Sequence, residues 1–362
     1  MSKTRKNKVF PVRKNNRIFV GFASAGAAGI WSFTQVLKHK GYKIDFYGRS
    51  DSKFKMPVDI ALQFSTNKII AGIQNFLYFF KIVSKYDVWH LNCMEAFFFY
   101  PLNLLILKLL GKKIILTFRG SEIRLDLDFL PESLFRKSAN WPLYYSKKHR
   151  EGRFLRSFRR RLRAKIFIWF ADRVALTAPF LASSVAHYDK IIPYARDLES
   201  IFKLKTISHR NKIIVFHSPT VREVKGSVYI EKALKKICRK YPQVAFQMPM
   251  DLPNDELLRR MAQADIIIDQ LLVGWYGGQA VEAMALGKPV IAYMHQPYFN
   301  LVDFAEEIPV YNSNIWTLKR DLEVLINSPS LREKLAKEGV AFVKKYHDPE
   351  KIAAEYEKLY FE

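Results

Sequence analysis

Three glycines and a single carboxylate crowd the segment Tyr276 to Tyr293, YGGQAVEAMALGKPVIAY. Gly277 and Gly278 follow the apolar run DIIIDQ and a short connector, and helical spacing resumes from about Gln279 to Leu286. Glycines let a backbone approach a ligand closely, and free N–H groups at a helix start attract phosphate. Glu282, one turn inside, is placed to accept hydrogen bonds from ribose hydroxyls beside a diphosphate. An ordinary capping turn with a favourable first-turn acid is the other reading of these residues.

HSPTVREVKGS directly follows the apolar run KIIVF, which puts His217, Arg222, Lys225 and Gly226 at the carboxyl edge of the same sheet, with two cations facing the glycine turn. An Arg fork and a compact Lys charge together suit the spread negative charge of a diphosphate, although solvated loop cations would read the same way. Asp269 and Gln270 end DIIIDQ, where strand carboxyl ends line a crevice. Asp269 could equally cap a turn. Near the start, GFASAGAAGIW makes a glycine-rich strand-to-helix turn containing Gly26 and Gly29. It lacks the G-x-G-x-x-G pattern of dinucleotide sites, although Asp45 ends the second apolar run where an NAD-binding acid would sit. DLD at Asp126 to Asp128 lies among loop residues, so no metal is assigned; cations and helix dipoles can stabilise a leaving diphosphate without one.

Taken together, HSPTVREVKGSVYIEKAL, ADIIIDQLLVGWYGGQAVEAMALGKPVIAY and LTFRGSEIR resemble a nucleotide-sugar-dependent glycosyltransferase of the GT-B fold, in the large retaining family. The resemblance covers most of the second half and scattered points of the first. It implies that Arg222 and Lys225 bind the donor diphosphate, that Glu282 binds its ribose, and that Gly26 and Gly29 approach donor phosphate or acceptor. Catalysis would rest on Arg222, Lys225, Asp269 and Arg119. His217, Lys225, Gly226, Tyr276, Gly277, Gly278, Gln279 and Glu282 would hold a nucleotide diphosphate sugar, with no other cofactor. Two departures stand out. Gly274 replaces the first of two glutamates that such enzymes often carry, and Arg119-Gly120-Ser121-Glu122 replaces His-Gly-Ser-Asp. Arg119 cannot act as a general base, but it can hold a phosphate or a sugar hydroxyl. The implied setting is cell-surface polysaccharide synthesis, with a glycan or polyprenyl-diphosphate-linked acceptor. A sugar-nucleotide epimerase of the same fold, or a non-catalytic basic protein binding membrane or nucleic acid, are the rivals.

Such a site needs two sheets to position it. From Arg17 onward short apolar runs alternate with amphipathic stretches, the pattern of parallel sheets with crossover helices, and 362 residues suit two cores better than one. The expected fold class is α/β, two doubly wound Rossmann-like domains facing across a cleft. The expected division is an acceptor-side domain over 1–200, a donor domain over 201–345, and a helix over 346–362 returning to the first domain.

The net charge of +25 attracts polyanions of any kind. Lys147 to Lys165 carries ten Lys or Arg and one Glu, interleaved with Phe154, Leu155, Phe158 and Leu162, then Ile166, Phe167 and Trp169. The expectation is a peripheral anchor from Lys147 to Trp169 on the inner face of the cell membrane; a stripe packed on the domain with solvated cations is the alternative. No RNA motif accompanies the charge, so no nucleic-acid partner is assigned. The basic head before IFVGFASAGAAGIW resembles a signal peptide, but the run continues into helical spacing, which favours an uncleaved strand and helix. Cys93 and Cys238, widely separated, fit a reducing cytoplasm. AFFFYPLNLLILKLLG, broken by Pro101, Asn103 and Lys108, is too short to span a bilayer.

Overall fold

The computed structural model describes residues 16–23, 28–49, 58–120, 122–123, 153–204 and 212–362. Gly26, Asp126 to Asp128 and the stretch from Lys147 to Gly152 lie outside the described residues.

The first sheet is built from β1 (Arg17–Ala23), β2 (Lys43–Arg49), β3 (Ile60–Leu62), β4 (Val88–Asn92), β5 (Lys113–Phe118), β6 (Arg173–Leu176) and β7 (Lys190–Ile191). Its strands pair in parallel in the order β3-β2-β1-β4-β5-β6-β7. β4 and β5 are buried along their whole length, as strands covered on both faces must be, and this explains why VWHLN and KIILTF read as nearly continuous apolar runs. Crossovers α1 (Ala28–His39), α2 (Lys68–Ile82), α3 (Tyr100–Leu109) and α4 (Arg153–Phe170) join them. Pro101 stands in the first turn of α3, where its missing N–H costs nothing, so it starts that helix instead of interrupting one.

After α5 (Leu198–Phe202) a second parallel sheet takes over: β8 (Ile213–Phe216), β9 (Val244–Gln247), β10 (Ile266–Ile268), β11 (Val290–Ala292) and β12 (Val310–Asn312), in the order β12-β11-β10-β8-β9. α6 (Arg222–Lys225), α7 (Ser227–Lys240), α8 (Asn254–Ala262) and α9 (Gly278–Ala285) intervene, followed by α10 (Leu318–Asn327), α11 (Pro329–Tyr346) and α12 (Pro349–Phe361). The chain runs from β8 outward to β9 and then crosses back past β8 to β10, so the winding reverses and the switch point lies between β8 and β10. Open α/β sheets bind ligands outside the strand ends at such a point. β3 and β12, three residues each, are too short to give a period in the sequence.

α12 lies against the first sheet. Ile352, Ala353, Tyr356, Leu359 and Tyr360 are buried with Ile18, Val20, Ile30 and Phe33; Phe33 stacks on Tyr356 at 4.2 Å, and His90 Nδ1 lies 2.7 Å from the Tyr360 hydroxyl. The chain's last helix thereby belongs to the packing of its first strands.

Candidate nucleotide-diphosphate site

The loops leaving β8 and β10 meet at the switch point. β10 is followed directly by Asp269, fully buried, whose Oδ2 accepts the Gly277 N–H at 2.6 Å while Oδ1 pairs with Lys225 Nζ at 2.5 Å. One carboxylate therefore fixes both the glycine turn and the cation beside it. A Cβ added to Gly277 would lie 3.1 Å from Asp269 Oδ2 and 3.2 Å from Lys225 Nζ. The ammonium thus stands against the start of α9, where unpaired amides concentrate positive potential. The Gln270 side chain donates to the Trp275 carbonyl and closes the loop from beneath. Asp269 and Gln270, expected to reach a donor sugar, are consumed in shaping the turn; the geometry makes Asp269 a positioning residue.

Gly226 has φ +77°, and an added Cβ would meet Leu272 Cγ at 3.2 Å. Its part is to let α6 and α7 join while the β10 loop packs against them: Leu271 N donates to the Lys225 carbonyl at 3.1 Å.

Three expectations are corrected. His217 does not face a ligand: its ring is fully buried, with Nδ1 on the Ile268 carbonyl and Nε2 on Ser227 Oγ, both at 2.8 Å. Facing a carbonyl, Nδ1 carries the proton, and burial holds the ring neutral, with its pKa pushed down to about 4. Tyr276 does not open onto the cleft either. Its buried hydroxyl lies 3.0 Å from His347 Nε2, and His347 Nδ1 donates to the Tyr194 carbonyl at 2.7 Å, tying the turn to the connector between the sheets. Arg222 turns to Glu231 on α7, 2.8 Å away and partly exposed, and so is not the second cation against the glycines.

That place belongs to Arg196, which follows β7 in the connector and was not singled out in the sequence. Its Nε donates to Glu282 Oε1 at 3.0 Å, and an added Cβ on Gly278 would fall 2.0 Å from its Nη2. A guanidinium therefore covers the start of α9, the end of a helix dipole that disfavours a cation and favours an anion. Burial raises the Glu282 pKa, and Arg196 opposes that rise. The signal available in the sequence was position alone: KIIPYAR places Arg196 just beyond the carboxyl end of the last strand of the first sheet.

Gln279, beside Gly278, has both side-chain amide atoms shielded from solvent with no hydrogen-bond partner among the described residues. Each orphaned buried polar group costs about 1–3 kcal/mol, so a donor and an acceptor await a guest at this helix start.

In the first half, Arg119 directly follows β5 and is 9% exposed, and its Nη1 has no hydrogen-bond partner among the described residues. Its carbonyl accepts from Thr177 Oγ1 and from the Tyr194 hydroxyl, and Glu122 accepts the Arg119 and Gly120 N–H groups, capping the loop. Gly29 makes its close approach to the chain itself: an added Cβ would meet the Ala195 carbonyl at 2.8 Å. Arg119 and Gly29 line one small cavity with Tyr194 and Tyr356, with room for about a single water, too small for phosphate or sugar. Asp45 is the third residue of β2 and not its carboxyl end, where a dinucleotide-binding acid would sit, and it accepts from Lys85 and the Tyr86 hydroxyl.

Comparison with known proteins adds the fold. No protein-family model matches the chain, and no curated protein sequence matches it. Solved structures do match. Sucrose-phosphate synthase from Thermosynechococcus elongatus is 16% identical, with 96% of this chain and 98% of that chain covered at a TM-score of 0.61. Anabaena HepE in complex with UDP-glucose is 13% identical, with 95% and 99% covered at a TM-score of 0.61. The fold is GT-B. A Listeria monocytogenes protein named as a UDP-N-acetylglucosamine 2-epimerase is 10% identical, with 94% of each chain covered at 0.50. Among the described residues, no group of three or more His, Cys, Asp or Glu could hold a metal ion.

Gly274, where a glutamate is often found in the enzymes the sequence resembles, has φ +82°, and an added Cβ would fall 2.8 Å from His295 Cβ and 3.1 Å from Tyr298 Cε2. The backbone and its neighbours both exclude a side chain here. Gly274→Ala should lower stability by about 2 kcal/mol or more, from left-handed strain plus the clash. Gly72→Ala, on the open surface of α2 with nothing within 4 Å, should instead be neutral or gain up to about 1 kcal/mol. Urea unfolding of the two variants checks the contrast.

Proposed function

We propose that this chain transfers a sugar from a nucleoside diphosphate donor to a hydroxyl of a glycan or lipid-linked glycan, in cell-surface polysaccharide synthesis and with retention at the anomeric carbon. The observation that carries the reading is the Lys225 ammonium held by Asp269 against the amide-lined start of α9, at the switch point of the second sheet. The complex of HepE with UDP-glucose, on the same fold, supports a nucleotide-sugar ligand.

The donor diphosphate takes the place at the start of α9 that Arg196 now covers. Arg196 pairs with phosphate and releases Glu282 for the ribose hydroxyls, while the Gln279 amide gains its missing partners. Arg222 joins by leaving Glu231; both side chains of that pair are partly exposed, and a pair screened by solvent contributes only about 1 kcal/mol, so the exchange costs little. As the bond from the anomeric carbon to the leaving phosphate oxygen breaks, the acceptor oxygen bonds to that carbon on the same face. The acceptor proton passes to the leaving phosphate, so no side-chain base is required. Lys225, Arg222, Arg196 and the α9 amides meet the charge that develops, the task a metal performs in other transferases.

A thermal-shift screen against UDP-, GDP- and CMP-sugars tests donor binding, since a ligand of the folded state raises its melting temperature by mass action. One class of sugar nucleotide should raise it, and nucleotide should be released from that donor only with acceptor present. The epimerase named above keeps a second reading in play. Interconversion of the free sugar nucleotide without acceptor would establish it, and no shift with any sugar nucleotide would refute both.

A further inference from the structure

α2, α3 and α4 form one layer over the first sheet, and its outer face is apolar. On α2, Ile69, Ile73, Phe76 and Phe80 recur at helical spacing and all are exposed, Ile69 by 75%, with Leu77 beside them at 62%. Phe99, Leu102, Leu105 and Leu109 extend this along α3, Leu109 at 77%; Phe158, Leu162 and Trp169 extend it along α4. These stripes belong to one surface. Phe98 packs on Phe76 and Phe79, each at 5.1 Å, and Tyr100 stacks on Phe167 at 5.5 Å beneath Arg163. None of the three helices contains an Asp or Glu, and exposed Arg159, Arg160 and Lys165 border the face along α4.

We infer that this face docks the chain on an anionic lipid bilayer, its apolar side chains entering the interface and the α4 cations meeting lipid phosphates. The inference extends the anchor expected from the basic helix to α2 and to α3, whose run reads in the sequence only as too short to span a bilayer, and it does not rest on the sugar-transfer reading. Exposed apolar area of this extent marks a contact surface. Charge selects the occupant. A second copy of the chain would bring its cationic border against the same border, since a two-fold interface pairs a patch with itself. Nucleic acid would satisfy the cations and leave α2 and α3 bare. An anionic leaflet satisfies both, at about 1 kcal/mol per nearby Lys or Arg in addition to apolar burial. Among the described residues no helix is long and apolar enough to cross a membrane, so the contact is with one surface.

The full chain should sediment with vesicles of phosphatidylcholine containing about a third phosphatidylglycerol and remain in solution with phosphatidylcholine alone. I69Q/L77Q/L109Q, at exposed positions, should lower the partition coefficient about tenfold or more, and R159Q/R160Q should lower it and weaken its salt dependence. The donor-induced thermal shift of the first variant should stay at the wild-type value, which separates this inference from the fate of the donor site. Wild-type protein staying in solution with anionic vesicles would overturn the inference, as would wild-type sedimentation of I69Q/L77Q/L109Q. Light scattering supplies a third test: a wild-type dimer made monomeric by the same substitutions would assign the face to self-association instead.

Discussion

Lys225→Ala should abolish the donor-induced thermal shift and destabilise the free protein as well. The two effects have different causes. In the free protein the substitution strands the fully buried Asp269 carboxylate, which among the described residues then keeps the Gly277 N–H alone, and breaking such a pair costs about 3–5 kcal/mol. In the complex it removes a charge-assisted contact to the diphosphate, with a loss of affinity on the order of 100-fold. Lys225→Ala combined with Asp269→Asn separates them. Asparagine keeps an acceptor for Gly277 and leaves no buried charge, so stability should return to within about 1 kcal/mol of wild type while donor affinity stays low. Calorimetric titration of the donor into the double variant decides the matter: wild-type affinity would mean that Lys225 is present only to neutralise Asp269.

Acid should unfold the protein steeply, starting well above the carboxylate range. His217 and His347 are buried with pKa values pushed down to about 4, and His90, buried between Thr117 and Tyr360, to about 3; loss of hydration is the first cause in each. In the unfolded chain each would titrate near 6.5. The stability they contribute is therefore complete above pH ~6.5 and drains away as the pH falls toward the folded values, because there the unfolded chain binds more protons. Three such groups give a slope of up to about 4 kcal/mol per pH unit. Glu282 opposes this at the acid end, since burial raises its pKa and the folded state takes up that proton more readily. Melting temperatures measured from pH 8 to 4.5 should fall increasingly below pH 6.5, and His347→Gln should flatten the slope by about one proton. A flat or rising profile over that range would contradict the buried neutral assignment. His347 also joins Tyr276 at the glycine turn to Tyr194 in the connector, so its protonation loosens the mounting of the candidate site itself.

The alternation of apolar runs with amphipathic stretches was enough to place two parallel sheets, and α9 over Gly278–Ala285 matches the helical spacing read from about Gln279 to Leu286. The nearness of Lys225 to the glycine turn was legible because both lie in loops that leave neighbouring strands, Lys225 nine residues past β8 and Gly277 nine past β10. What sequence spacing could not show was the direction of side chains settled by distant packing. His217 looked like an edge residue because it is polar and follows β8. Its amide instead continues the ladder to Gln247, which turns the ring inward onto Ser227. Tyr276 is drawn in by His347, 71 residues away, and Arg196 reaches Glu282 across 86. α2 and α3 are apolar on nearly every side, so periodicity gives no means of choosing which face meets the sheet and which is left uncovered.

A crystal structure with the donor nucleotide sugar bound tests the central claim most directly. The diphosphate oxygens should lie about 2.7–3.2 Å from the Gly278 and Gln279 amides and from Lys225 Nζ, with Arg196 drawn off Glu282 onto phosphate. A diphosphate seated elsewhere, with the Arg196 to Glu282 pair unbroken and the start of α9 still covered, would contradict the account.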